Sequence, residues 1–163
     1  MIFYCSLVLL KVMAAEFFQF EADFVDSLRC IPMQVRCKLD TCGIKLKLSD
    51  WNHMSQVERQ QLVELPCTTE SDIQAYRKYI QDLILQRTGM PVAELPIESH
   101  PAWMDTTTVP TSVYEKAQEI GVTITTEHWS TLSDLQRFAL IKLSRSHHEN
   151  KNFLPALKEF NLL

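Results

Sequence analysis

From Thr69 to Gly89 the chain reads TESDIQAYRKYIQDLILQRTG, with apolar Ile73, Tyr76, Ile80, Leu83 and Ile84 recurring at helical spacing and Arg87 near the end. That spacing gathers one stripe of a helix with 3.6 residues per turn. Thr69 or Ser71 offers an amino-terminal cap, and Gly89 offers a carboxy-terminal stop. Only three glycines occur in 163 residues, far too few for a phosphate-cradling loop. Scarce glycine and long polar–apolar periodicity predict an all-α fold, an irregular bundle of six or seven helices. The length suits one domain with a real core, and 46% apolar content argues against disorder.

The remaining segments read in the same way. EFFQFEADFVDSLRC spaces Phe17, Phe20, Phe24 and Leu28 as a helical stripe, with Glu21, Asp23 and Asp26 toward solvent. Pro32 suits the first turn of a second helix carrying Val35, Leu39 and Cys42 on one face, ended by Gly43. IKLKL alternates with period two, a short extended piece with no partner advertised. SQVE at Ser55–Glu58 is a capping box, and Leu62 and Leu65 come after it, before Pro66. Residues 90–108, with Pro91, Pro96 and Pro101, form a connector. Helices are then expected from Thr111 or Ser112 to Gly121, from Thr131 and Asp134 through Lys142, and after a second capping box, SHHE, at Ser146–Glu149.

The first twelve residues, MIFYCSLVLLKV, stand apart as an apolar extension, and the domain proper is expected to run from 13 to 163. The run Ile2–Leu10 is about half a bilayer-spanning length, so no stable membrane insertion is expected. Lys11 comes after the run, whereas a secretory signal has its charge in front; Met13 is a reasonable alternative start.

Cys30, Cys37 and Cys42 raise the question of a metal or redox site, with His53 close behind. No CxxC knuckle is present, and Cys37 and Cys42 fall on different helix faces. Buried small side chains account for Cys30, Cys42 and Cys67, so no metal or cofactor is expected. The competing possibility is a metal- or molybdenum-cofactor-binding carrier or enzyme, drawing on Cys30, Cys67, His53 and His148. No catalytic constellation is legible: the Ser, Thr and carboxylate residues have cheaper roles as caps and solvated faces.

The net charge is −4, yet two stretches are basic. Residues 29–48 hold Arg29, Arg36, Lys38, Lys45 and Lys47 against Asp40, and 137–151 hold Arg137, Lys142, Arg145 and Lys151 against Glu149. Such local fields steer anions or acidic protein surfaces, and nothing in the aromatic pattern points to nucleic acid. The candidate partner- or anion-binding set is therefore Arg145, His148, Arg137, Lys142, Asn150, Arg36 and Lys38. Arg145 is the expected direct contact, with His148 adding a donor and Asn150 shaping the turn at the amino end of the next helix.

Three phrases carry a family resemblance: FFQFEADFVDSLRCIPMQVRCKLDTCGIKLKLSDW, ERQQLVELPC and LQRFALIKLSRSHHENKNFLPALKEF. Together, from Glu16 to Phe160, they resemble the nitrate reductase-associated protein family, known chiefly from cyanobacteria. The resemblance implies a small cytoplasmic helical protein linked to nitrate assimilation. It would serve the biogenesis of active assimilatory nitrate reductase as a non-catalytic assembly factor or chaperone in molybdoenzyme maturation. Its expected partner is that reductase or its maturation machinery.

Overall fold

The computed structural model describes residues 16–145 and 150–163. The apolar extension 1–12 and the second capping box at 146–149 lie outside the described residues. Among those described, helices dominate and the fold is all-α. The α-helices are α1 Met33–Cys42, α2 Leu48–Asn52, α3 Gln56–Glu64, α4 Glu70–Thr88, α5 Thr111–Glu119, α6 Thr126–Thr131, α7 Asp134–Arg145 and α8 Phe153–Glu159. That exceeds the expected six or seven because α2 and α6, five and six residues long, are too short to show a period.

The caps fall where residue chemistry puts them. Ser55 accepts from the Glu58 amide at 3.2 Å while Glu58 accepts from the Ser55 amide at 2.7 Å, closing the box that starts α3. Thr69 and Asp72 do the same for α4, and Thr125 caps α6. Pro32 stands at the cap of α1 rather than inside its first turn. Gly43 ends α1 in the left-handed region at φ 74°, its amide returning to Leu39 O.

The extended piece does find a partner. β1 Ile44–Lys45 pairs antiparallel with β2 Ala93–Glu94, so the strand's mate comes from the proline-containing connector beyond α4. Arg77 on α4 locks this corner: Nη1 donates to Cys42 O at 2.6 Å, and Nη2 meets Glu94 at 2.6 Å.

The segment before α1 departs from the expected helix. It makes one 3-10 turn, Gln19–Glu21, and then turns through Leu28. Glu21 points inward rather than to solvent, accepting from the Met33 amide at 2.7 Å and the Phe18 amide at 3.1 Å. The Phe18 contact is the capping-box bond that opens the 3-10 turn, and the Met33 contact satisfies a free amide at the start of α1, so the carboxylate ties the two segments together. Leu28 closes the segment at φ 49°, and its carbonyl receives Trp51 Nε1 at 2.6 Å and Arg59 Nη1 at 3.3 Å.

Two apolar clusters form the core, and α1 is common to both. Val35, Leu39 and Cys42 pack with Leu62, Tyr76, Ile80 and Ile84 of α3 and α4. Met33 joins the other cluster, with Phe138, Leu140 and Leu143 of α7 and residues of α5, α6 and α8, and half-buried Cys37 packs against it. The helix thus has apolar contacts on opposite sides, which places its remaining polar flank at the seam between the clusters.

Candidate functional site

At that seam lies a cleft of about 630 Å³. Its apolar lining includes Phe20 from the amino-terminal turn, Leu39 from α1, Ile44 from β1 and Leu143 from α7. Five bases also line it, Arg29, Arg36, Lys45, Lys142 and Lys151, against the acids Glu21, Asp23 and Asp40. The two basic stretches seen in sequence therefore supply one cleft, its walls set by α1 and α7.

The acids are largely engaged. Glu21 is spent on the amides of Phe18 and Met33; burial pushes its carboxyl above the usual range, more than those two amides pull it down. Asp40 binds Lys142 Nζ at 2.7 Å across the α1–α7 seam, and the same ammonium stands 5.2 Å from the centre of the Phe138 ring. Arg36 donates Nε to Ile31 O at 3.1 Å, beside Glu21 in the field of that carboxylate. Arg29, Lys45 and Lys151 are exposed, and none has an ion pair among the described residues. Asp23 is exposed too, so the cleft opening carries net positive charge.

The residues singled out by sequence separate into four groups. Arg36 and Lys142 line the cleft. Arg145 is exposed at the end of α7 but does not line it. His148 and the side chain of Asn150 lie outside what the structure describes; the Asn150 backbone begins the 3-10 turn Asn150–Asn152. Arg137 and Lys38 turn inward and do not join the others.

Arg137 is 3% exposed and serves as a structural clamp. Nε donates to Trp103 O at 2.7 Å, Nη1 to Trp129 O and Leu132 O, and Nη2 to Asp134. One guanidinium thereby ties the connector, the end of α6 and the start of α7 together. Lys38 reaches from α1 to the carboxy-terminal end of α3, donating to Val63 O at 2.7 Å and Leu65 O at 2.6 Å. Those carbonyls have no helical donor of their own, and an ammonium complements the negative helix end. Burial pulls the Lys38 pKa down.

Cys37, Cys42 and Cys67 behave as packing, whereas Cys30, expected to be buried with them, is half-buried and lines the cleft. Burial pushes Cys37 and Cys67 up to about 12 and Cys42 up to about 11, so each is a neutral thiol at physiological pH. Cys42 donates weakly to Leu39 O and Cys67 to Lys38 O. His53 faces Ser49 O through Nδ1 at 2.6 Å. No group of three or more metal-ligating side chains occurs among the described residues. No helix among them is long and apolar enough to cross a membrane.

Sequence reasoning counts Arg29, Lys45 and Lys151 as charge without selecting them; the usable signal is that Arg29 and Lys45 flank the two ends of α1. Asp40 is legible as the lone acid of its basic stretch, and it anchors α7 through Lys142. Comparison with curated proteins and with solved structures finds no match. Residues 17–160 match the family described as conserved nitrate reductase-associated protein, and the chain belongs to that family.

Proposed function

We propose that the protein is a non-catalytic accessory factor in the biogenesis or maturation of assimilatory nitrate reductase. It acts in the cytoplasm by binding the reductase or the machinery that loads its cofactor. Family membership supports the link to nitrate reductase. The observation that carries a binding role is the gathering of two distant basic stretches around one partly apolar cleft. A cleft of this kind holds an anionic surface through charge and excludes water through its floor. Arg137 and Lys38 hold backbone carbonyls and Glu21 holds backbone amides, so these charges support the fold that shapes the cleft.

The test is a strain lacking the gene, assayed for nitrate reductase activity and for the amount of reductase polypeptide. Activity per polypeptide should fall and return when the gene is restored. Full activity in the deletion strain overturns the reading.

A further inference from the structure

We propose that the cleft receives an acidic segment of a protein partner, with a large apolar side chain seated on the floor and flanking carboxylates on the basic rim. This rests on the accessory-factor reading and narrows it to the kind of surface that is recognised.

Charge complementarity is the first argument. Of the cleft's three acids, Glu21 and Asp40 are consumed by backbone amides and by Lys142. Arg29, Lys45 and Lys151 are exposed and without an ion pair among the described residues, and they come from three separate places: the turn before α1, β1, and the 3-10 turn before α8. The protein as a whole is acidic, so this positive rim is a local exception that selects an opposite charge.

The floor is the second argument. Phe20, Phe24, Leu46 and Leu95, each partly exposed, present hydrocarbon in the same cleft as those cations, and Leu48, 51% exposed, extends it outward. A compact phosphate would gain nothing from that surface. An acidic peptide with an apolar residue at its centre uses both, the apolar anchor giving affinity and the rim giving specificity and rapid encounter.

The experiment uses the purified full chain and three fluorescein-labelled peptides, EDDLFEDE, its anchorless relative EDDAAEDE and its basic relative KKKLFKKK, read by fluorescence anisotropy. Saturable binding is expected for EDDLFEDE, weakening steeply with salt, and none for KKKLFKKK. Removing the anchor, or making Arg29→Gln, Lys45→Gln and Lys151→Gln together, is expected to raise Kd by about tenfold or more. All three changes are exposed, and circular dichroism checks that helicity is kept. Absence of saturable binding overturns the proposal, as does binding unaffected by the triple change. Equal binding of EDDAAEDE with displacement by inorganic pyrophosphate also overturns it and assigns the cleft to a compact anion. Because the probe is not taken from the reductase, peptide binding in a chain whose deletion leaves reductase activity intact would preserve the cleft's chemistry and remove only the choice of partner.

Discussion

Arg137→Met keeps most of the side-chain volume but leaves the carbonyls of Trp103, Trp129 and Leu132 without their donor. Loss of several charge-assisted bonds at a buried site should cost about 3 kcal/mol or more, seen as a lower urea midpoint. An unchanged midpoint would mean that the clamp is dispensable. The sequence marks Arg137 as positive, and a positive charge in an anion-seeking stretch reads most simply as a ligand contact. Its inward turn depends on three carbonyls brought together only by the fold, with Trp103 lying 34 positions away along the chain. Lys38 is hidden for the same reason, since its partners belong to α3 and the residue just beyond it. Lys142 and Arg36, by contrast, do lie on the cleft that their stretches foreshadow.

Among the elements, the junction of α1 and β1 is the least tolerant of change. A Cβ on Gly43 would lie 2.7 Å from Ile97 Cγ1, 2.8 Å from Leu95 O and 2.9 Å from Arg77 Nη1, at a backbone φ of 74°. Gly43→Ala should therefore destabilise by at least about 2 kcal/mol, through left-handed strain and crowding together. Gly89 and Gly121 have the same sign of φ but open space around them, so alanine there meets only the backbone term. Thermal melts of the three variants should place Gly43→Ala lowest, and equal melting points would contradict the crowding described. The elements most readable from sequence are those defined locally, by period and cap: α1, α3, α4, α5 and α7. The segment 16–28 misleads because its phenylalanine spacing is helical, whereas Glu21 faces inward to the Phe18 and Met33 amides and the chain runs on in turns to Leu28. The mate of β1 is invisible because the pairing of Lys45 with Ala93 depends on how α4 returns the chain.

For the whole molecule, the three packed thiols set an alkaline limit. An unfolded thiol ionises near about 8.5, while Cys37, Cys42 and Cys67 hold their protons to about 12, 11 and 12 in the folded chain. The folded state then binds more protons, so the contribution is fully present below about pH 8.5 and is lost as pH climbs toward 11–12. Tyr76, raised by burial, acts in the same sense at still higher pH. Lys38, lowered by burial, acts in the opposite sense because the folded state releases its proton first. With three thiols and a tyrosine against one lysine, the urea midpoint should fall from about pH 8 to about pH 10.5, and Cys37→Ala should flatten the fall. A flat or rising midpoint would show that these thiols are not held neutral by packing.

The proposed binding role rests on one surface made from two stretches far apart in the chain: α1 with its flanks, and the end of α7 with the turn that leads into α8. The most direct measurement is nitrate reductase activity per reductase polypeptide in a deletion strain complemented with Arg29→Glu, Lys45→Glu and Lys151→Glu together. Arg145→Glu is complemented in parallel as the exposed charge outside the cleft. Helicity and melting of the purified variants serve as the check on folding. The cleft variant should give activity as low as the empty strain, with its fold retained, and Arg145→Glu should give a smaller loss. Wild-type activity from the folded triple variant, in a strain whose deletion abolishes activity, would contradict the claim that the protein works through this cleft.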